Sequence, residues 1–348
     1  MKEAKFSAAL ATFGSFRDRY SDYKEPKSTP ELLEEATRVD GLSGIEFVSG
    51  WDLKDEYLDD IRSSLEKTGL APVACIANLS FSPRWAKGSF TAYDPETREA
   101  AKAEVRKVMD QAAEIKCPLV NLWFGQDGYD YCFQADYLRA WELLVLNLKE
   151  VADHNPNIRL GVEYKIKEPR THCFVGTVGK TILLLHAVDR PNVGAIIDMG
   201  HALAAYENCA ESIALLKMHG DKLFSVHLND NYRLWDDDLM VGSIHIIEYL
   251  ELLYWLEKTG YDYFYSLDIW PAREDGVGAA SECIRWIKGL RRVIEKIGME
   301  ELEGLIQEGD AVKASATIRE ALLPCSSSFK NQSGDSRGIT VSWSLSGP

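Results

Sequence analysis

Short apolar runs alternate with longer segments of helical periodicity along this chain, and no other feature constrains the fold as strongly. There are eight such runs, from residues 6–13 near the start to the run that closes on Asp268. Strands that are apolar on both faces and separated by amphipathic helices call for a parallel sheet with helical crossovers. Eight units in 348 residues favour closure into an α/β fold of the (β/α)8 type, the TIM barrel. No Gly-x-Gly-x-x-Gly turn follows the first strand, which counts against a dinucleotide-binding sheet.

The pattern changes near residue 297, so three segments are predicted. Residues 1–297 are expected to form the catalytic barrel, and residues 298–323 a short helical extension. Residues 324–348 are rich in Ser and Gly and have no strong periodicity, which is typical of a disordered tail. Capping signals predict helix N-termini at Thr29, Asp94, Thr177 and Ser243, a helix start near Leu53, and helix C-termini at Gly69 and Gly260.

Composition narrows the class of protein. Hydrophobic residues make up 46% of the chain and charged residues 27%, as in ordinary soluble enzymes. The net charge of -15 counts against nucleic acid as a partner, because binding its backbone needs clustered Lys and Arg. The seven cysteines show no zinc-like spacing, and no apolar stretch reaches the roughly 20 residues that a bilayer requires. The N-terminus lacks the apolar region of a signal peptide, so a cytoplasmic protein without a membrane partner is expected.

Four of the apolar runs end in side chains of the types that bind metals. In chain order these side chains are Glu163, Asp198, His227 and Asp268. In a (β/α)8 barrel the carboxyl ends of the strands converge on one mouth, so residues distant in sequence meet there. The carboxylates repel one another unless a cation lies between them, and this donor set suits Mn²⁺, Co²⁺, Mg²⁺ or Zn²⁺. The sequence therefore predicts a divalent metal at the barrel mouth.

A second set of donors lies nearby in the sequence. Asp236 and Asp238 form an Asp-x-Asp in the loop after the seventh strand, where His201 is able to join them in holding a second ion. Lys165 follows Glu163 by two residues, so strand alternation places both on one face. A lysine in that position is expected to hydrogen-bond a substrate oxygen and stabilise negative charge that develops on it.

The joint pattern resembles the xylose isomerase-like superfamily, and within it L-rhamnose isomerase and related sugar isomerases, over about residues 5–295. The resemblance rests on the order Glu163-x-Lys165, Asp198-x-x-His201, His227, Asp236-x-Asp238, Asp268. It implies a metal-dependent aldose–ketose isomerase that acts on an open-chain, unphosphorylated monosaccharide and forms a homodimer or homotetramer.

The same resemblance implies a role for each residue of the pattern. Glu163, Asp198, His227 and Asp268 would hold a structural ion, and His201, Asp236 and Asp238 a catalytic ion. Lys165, Asp268 and Glu163 would carry the catalytic roles, with Lys165 on the carbonyl oxygen and Asp268 assisting proton transfer. Xylose isomerase also carries an early histidine for ring opening. Here the first histidine is His154, so that role has no occupant and xylose is disfavoured as the substrate.

Several residues after strand ends are candidates for contacts with the sugar. The aromatic ones are Trp51, Trp85, Trp123, Phe124 and Trp270, and the polar ones are Arg170, His172, Glu46, Gln126 and Asp127. Packing of loops onto the barrel explains the aromatic residues equally well. Four cationic residues, Arg84, Lys87, Lys167 and Arg233, are either contacts for a phosphorylated sugar or solvated loop charges.

Three other functions remain open. The first is a keto-sugar 3-epimerase, which normally uses two glutamates as acid and base, whereas the last strand here offers Asp268. The second is a phosphodiesterase of the apurinic endonuclease type, which would need more histidines and a basic groove. The third is a sugar-binding barrel without turnover.

Overall fold

Eight parallel strands close into a barrel in the computed structural model of this chain, which describes residues 1–17 and 21–323. The strands are β1 (Lys5–Ala9), β2 (Leu42–Val48), β3 (Ala71–Ile76), β4 (Leu119–Trp123), β5 (Gly128–Tyr129), β6 (Arg159–Glu163), β7 (His172–Cys173), β8 (Val193–Asp198), β9 (Leu223–Leu228) and β10 (Phe264–Leu267). Strands β5 and β7 form a separate antiparallel pair, and the others close the barrel in the order β1-β10-β9-β8-β6-β4-β3-β2. The predicted TIM barrel is therefore confirmed.

Helices follow the barrel strands. They are α1 (Thr29–Ala36), α2 (Leu58–Thr68), α3 (Pro95–Glu114), α4 (Tyr137–Ala152), α5 (Val178–Val188), α6 (Met199–Ala204), α7 (Cys209–Met218), α8 (Ile246–Thr259), α9 (Gly276–Ile297), α10 (Met299–Glu308) and α11 (Ala311–Leu322). Each of the longer barrel helices buries one apolar face; in α3 that face consists of Ala101, Val105, Val108 and Ala112, all fully buried. Within the described ranges, every helix is too short or too polar to span a bilayer.

The chain divides into two compact units, Met1–Arg291 and the residues from Arg292 onward, so the division falls within α9. The first unit contains the whole barrel. In the second unit, the Lys296 ammonium donates to the Ala321 carbonyl at 3.2 Å, and Asp310 caps α11 by accepting from the backbone of Val312 and Lys313. The boundary predicted after residue 297 stays a prediction, and the predicted tail, residues 324–348, lies outside the described residues.

Several capping predictions are confirmed. Asp94 accepts hydrogen bonds from the backbone of the first turn of α3, and Thr177 does the same for α5. Gly69 and Gly260 end α2 and α8 in the left-handed region, with φ of +74° and +78°. Glycine suits both positions because it has no Cβ to clash there.

Other local predictions are wrong. The first strand ends at Ala9, because residues Leu10–Phe13 turn into a 3₁₀ helix. Ser28 rather than Thr29 caps α1, since it exchanges hydrogen bonds with Glu31 in a capping box. The helix expected from Leu53 begins at Leu58, after a 3₁₀ turn at Asp55–Tyr57.

The N-terminus of α8 also differs from the prediction. The Ser243 hydroxyl donates to the Met240 carbonyl instead of capping the helix, which begins at Ile246. The buried carboxylate of Asp230 accepts from the backbone N–H groups of Ile244 and His245, at 2.8 and 3.0 Å. The hydrogen-bond partner of these N–H groups is therefore a side chain remote in sequence.

Candidate metal centre and active site

Four side chains from the carboxyl ends of the last barrel strands meet at the mouth of the barrel. Glu163 and Asp198 are the final residues of β6 and β8, His227 lies in β9, and Asp268 follows β10 directly. One donor atom from each of the four lies within 4.8 Å of the other three. Parallel pairing brings them together, since the register of β8 and β9 places Asp198 beside His227. We call these four residues the first donor group.

The first donor group is acidic and buried. Asp198 is fully buried, and burial raises the pKa of its carboxyl to about 7; the charge of His201 opposes the rise, whereas the neighbouring carboxylates add to it. Burial also disfavours ionisation of Glu163, but the nearby imidazoles outweigh it and lower the pKa of Glu163 to about 2. Among the described residues, no Lys or Arg forms an ion pair with the group. Within residues 1–17 and 21–323, the partners of these carboxylates that are able to carry a positive charge are His201 and His227.

His227 contacts three carboxylates without forming a hydrogen bond of good geometry. Its Nδ1 lies 3.5 Å from an oxygen of Glu163 and 3.3 Å from one of Asp268, and its Nε2 lies 3.1 Å from Oε2 of Glu46. Neither ring nitrogen has a hydrogen-bond partner within the described chain. Burial disfavours the charged imidazole, but Glu46 and Glu163 outweigh it and raise the pKa of His227 well above its usual value.

Glu46 belongs to a buried polar chain inside the barrel. Its Oε1 accepts from the Ser266 hydroxyl at 2.5 Å, and that hydroxyl is hydrogen-bonded to Ser7 at 2.6 Å. Glu46 is 1% exposed and does not line the cavity at the mouth. The prediction that it contacts the sugar is therefore not supported. Its place on Nε2 is that of a carboxylate that orients a ligating histidine.

Buried amides support the carboxylates, and sequence reasoning missed them. Asn121 donates to Oε2 of Glu163. Asn229 donates to Asp198 at 2.8 Å and to Asp238 at 3.1 Å, and its oxygen accepts from the Gly200 backbone at 2.9 Å. The sequence contains a sign of each. Asn121 is a polar residue inside an apolar strand, and Asn229 follows His227 by two residues, so strand alternation places the two side chains on the same face.

A second donor group consists of Asp198, His201 and Asp236, whose donor atoms also lie within 4.8 Å of one another. Asp198 caps α6 by accepting from the His201 backbone at 2.8 Å. The His201 ring lies between the Tyr164 carbonyl, 3.0 Å from Nδ1, and the Asp236 carboxylate, 3.1 Å from Nε2. Burial lowers the pKa of His201, but Asp198 and Asp236 outweigh it and raise that pKa to about 9.

Asp238 was predicted to complete this second group, but Asp198 takes its place there. The carboxylate of Asp238 is not among the three donors of that group and accepts from Asn229 at 3.1 Å. Burial raises the pKa of its carboxyl well above the usual value, and the charges of Asp236 and Asp268 add to the effect. Asp238 therefore faces the acidic centre from one side.

Lys165 is held between two carboxylates at the edge of the site. Its ammonium lies 2.8 Å from Oδ2 of Asp236 and 2.5 Å from Oε1 of Glu168, and 5.0 Å from the centre of the Trp123 ring. Burial disfavours the charge, but the two carboxylates outweigh it and raise the pKa of Lys165 above its usual value. The lysine therefore remains charged. The second oxygen of Asp236, Oδ1, is buried without a hydrogen-bond partner in the described chain.

A cavity of about 640 Å³, here called the mouth cavity, opens above these groups. Glu163, Lys165, His201, Asp236 and Asp268 line it, together with five indole and phenyl rings that belong to Trp51, Phe81, Trp123, Trp235 and Trp270. Trp51, Trp123 and Trp270 thus lie where the sequence placed them, whereas Phe81 and Trp235 were missed.

Four predicted sugar contacts lie outside the mouth cavity. Trp85 is buried in a 3₁₀ turn, and Phe124 packs on Phe90 with ring centres 5.2 Å apart. Arg170 pairs with Asp130 at 2.9 Å, and His172 stacks on Tyr129. None of these four residues is therefore included among the sugar contacts proposed for the mouth cavity. Asp127, another candidate, is buried and accepts from the backbone and hydroxyls of Ser89 and Thr91.

Comparisons with known proteins show similarity over most of the chain. A family model described as xylose isomerase-like TIM barrel matches residues 33–290. The xylose isomerase of Thermus thermophilus is 27% identical over 303 residues, which cover 81% of this chain and 78% of that protein. A D-tagatose 3-epimerase-like protein of known structure is similar with a TM-score of 0.65 and 19% identity, covering 84% of this chain and 100% of that one. The structure of an IOLI protein with a binding zinc atom is similar with a TM-score of 0.60 and 20% identity, covering 82% and 96%.

Proposed function

This chain belongs to the xylose isomerase-like TIM barrel family, and on that premise we propose that it is a metal-dependent aldose–ketose isomerase of an open-chain, unphosphorylated monosaccharide. One observation carries the proposal. The first donor group gathers three carboxylates and an imidazole without a Lys or Arg partner among the described residues, directly below a cavity that Lys165 also lines.

The donor groups fit divalent ions. In the first group, the two nitrogens of His227 lack hydrogen bonds, and the carboxylates are too close to remain charged together without a cation. Glu163, Asp198, His227 and Asp268 would hold one ion, and Asp198, His201 and Asp236 a second. Such ions supply Lewis acidity that polarises a sugar carbonyl and positions its hydroxyls.

The side chains of the protein supply the remaining chemistry. In aldose-to-ketose conversion, a hydride moves from C2 to C1 while a proton passes from O2 to O1. Lys165, fixed by Asp236 and Glu168, donates a hydrogen bond to the carbonyl oxygen and stabilises the negative charge that grows there. Asp268, whose side chain is one-third exposed in the cavity, carries the proton between the two oxygens. The rings of Trp51 and Trp123 cover the apolar face of the sugar.

A keto-sugar 3-epimerase is the second candidate, and one observation favours it. Glu163 and Asp268 approach the same imidazole nitrogen of His227, at 3.5 and 3.3 Å. Two carboxylates placed together in this way are suited to remove a proton from one face of C3 and return one to the other face.

Isotope incorporation distinguishes the two reactions. The metal-loaded protein is incubated in D₂O with a panel of aldoses and ketoses, and the products are analysed by NMR; chelated protein is the control. Hydride transfer leaves C1 and C2 largely unlabelled, whereas epimerisation places deuterium at C3. Absence of turnover with every sugar, in protein shown to contain metal, would remove both proposals.

A further inference from the structure

A second cavity, also of about 640 Å³, adjoins the mouth cavity. Its walls are the loops that follow β3, β4 and β6, so it opens on the same side of the barrel. Glu168 lines both cavities, and its carboxylate is the one that holds Lys165. The boundary between the two cavities is therefore the Lys165–Glu168 pair. We call this space the outer cavity.

Two carboxylates fasten the loops around the outer cavity. The carboxylate of Asp127, after β4, accepts hydrogen bonds from Ser89 and Thr91 of the loop after β3. Asp130 accepts from the Thr171 hydroxyl at 2.8 Å and thus links the loop after β4 to the loop after β6. The short β5–β7 sheet joins the same two loops. Loops cross-linked in this way form a cavity before any ligand binds, as small-molecule sites usually do.

The lining of the outer cavity is about half polar and half apolar, and its charges are balanced. Two cations, Lys87 and Arg170, face two anions, Asp130 and Glu168. The other lining residues include hydroxyls, an amide and aromatic rings, namely Ser80, Ser82, Thr91, Gln126, Tyr129 and Phe174. A phosphate group would call for an excess of cations, whereas a neutral ligand with many hydroxyls matches this lining.

Two polar side chains of the outer cavity form no hydrogen bond with the described residues. The Ser80 hydroxyl is buried without a hydrogen bond. The side-chain amide of Gln126 likewise forms no hydrogen bond within the part of the chain that the structure describes. Buried polar groups are nearly always paired in proteins, so these two side chains are available to pair with water or with a polar ligand in the cavity.

We propose that the outer cavity binds a second sugar ring, so that the preferred substrate is a reducing disaccharide. Its open-chain unit lies in the mouth cavity beside Lys165, and its glycosidically linked ring lies beyond Glu168, against Tyr129 and Phe174. This inference rests on the isomerase chemistry of the proposed function and enlarges its substrate, since the open-chain unit of the disaccharide takes the place of the monosaccharide at the same site.

The test compares sugars of different size in the metal-loaded, full-length protein. Rates are measured with maltose, cellobiose, lactose and gentiobiose and with their reducing-end sugar, glucose. At least one disaccharide should exceed glucose in kcat/KM by about tenfold, because remote contacts contribute to transition-state binding. Ala135→Trp, which fills the outer cavity, should abolish this advantage and leave kcat/KM for glucose within about twofold. Ala311→Trp, on an exposed helix of the second unit, is the matched control.

The possible outcomes separate this inference from the proposed function. Equal kcat/KM for glucose and every disaccharide, or an advantage that survives Ala135→Trp, would overturn the sugar subsite while the isomerase stands. A rate advantage of glucose 6-phosphate that Ala135→Trp removes would assign the outer cavity to phosphate instead. If no sugar is turned over, the proposed function fails; calorimetric binding of the four disaccharides to the wild type and to Ala135→Trp still decides the subsite.

Discussion

The ammonium of Lys165 lines the mouth cavity, and the carboxylates of Asp236 and Glu168 stabilise its positive charge. Lys165→Met keeps the length of the side chain and removes the ammonium group. We expect kcat to fall by about 10²–10³, as when one donor to a developing oxyanion is lost. The metal content should stay unchanged, because Lys165 is not in either donor group. Steady-state kinetics and metal analysis of the purified variant measure both quantities.

A matched control exists in α3. Lys102 is also largely shielded from solvent and pairs with Glu99 and Glu150, and it does not line the mouth cavity. Lys102→Met should lower the melting temperature without changing kcat. A wild-type kcat in Lys165→Met would contradict the role of this lysine.

Glu46 lies 3.1 Å from Nε2 of His227 and does not line the mouth cavity, so we expect it to affect the site through the imidazole. Glu46→Gln keeps the shape of the side chain but removes the charge beside Nε2, so the imidazole is held less firmly toward the first donor group. Affinity for Mn²⁺ should fall by about 10–100-fold, the usual cost of losing a carboxylate behind a ligating histidine. Isothermal titration of the metal-free protein with Mn²⁺ measures this loss.

Asp52 offers a control for Glu46. It is also a buried carboxylate, but its hydrogen bonds go to backbone N–H groups, including that of Val48. Asp52→Asn should destabilise the fold and leave Mn²⁺ affinity unchanged. Equal Mn²⁺ affinity in Glu46→Gln and the wild type would show that Glu46 only fills space.

At the residue scale, the strand-end donors were predictable because each is a polar side chain at or next to the end of an apolar run. Their assignment as ligands remains a proposal, but their convergence follows from parallel strands. Trp85 and Phe124 were predicted to face the cavity because they follow strand ends, as Trp51 and Trp123 do. Whether such a ring faces the cavity or packs inward depends on the path of its loop, and no local pattern encodes that path.

At the scale of elements, α6 is closely tied to the site because its first turn is hydrogen-bonded to Asp198 and Asn229. A Cβ on Gly200 would overlap the amide oxygen of Asn229 and lie 2.8 Å from the amide nitrogen of Asn231. Gly200→Ala should therefore displace Asn229, which holds Asp198 and Asp238. We expect a loss of about 1–3 kcal/mol in stability from overpacking, together with weaker Mn²⁺ binding. Urea denaturation and calorimetry measure these changes.

Gly179 provides the comparison, because a Cβ there meets nothing within 4 Å. It lies in the first turn of α5, so Gly179→Ala should stabilise the protein by about 0.4–1 kcal/mol. Wild-type Mn²⁺ affinity in Gly200→Ala would show that the amide adjusts without cost.

Helix ends show why some boundaries escaped prediction. Thr177 and Asp94 were identified because each caps its own helix, which is a local event in the sequence. The N-terminus of α8 is satisfied by Asp230, a residue fourteen positions before Ile244 that only the fold brings near. Contacts of this kind depend on tertiary structure and leave no signature in a short window of sequence.

For the whole molecule, the donor groups predict how stability depends on pH. In metal-free protein, the pKa of His201 rises from 6.5 to about 9 on folding, and that of Asp198 from 3.8 to about 7. Both groups bind protons more tightly in the folded state, so stability falls as pH rises through these intervals. Glu163, with its lowered pKa, is fully ionised above pH 6, so it does not change the free energy of unfolding with pH in that range.

The free energy of unfolding of chelated protein should therefore decline between pH 6 and pH 9. Saturating Mn²⁺ should reverse the trend, because the ion binds deprotonated ligands and adds about 2.7 kcal/mol at one hundred times its dissociation constant. Urea denaturation at several pH values, with and without Mn²⁺, provides the measurement. A metal-free protein that gains stability toward pH 9 would contradict the assigned electrostatics.

Asp198 is the one carboxylate common to both donor groups. If each donor group held an ion, the carboxylate of Asp198 would serve both groups, and repulsion between the two ions would couple their affinities. A Mn²⁺ titration should accordingly show one strong step followed by a weaker one, instead of two equivalent and independent steps. Over a range of Mn²⁺ concentrations, most molecules would then carry a single ion. Within that range, the reaction rate would increase with the fraction of molecules that bind a second ion.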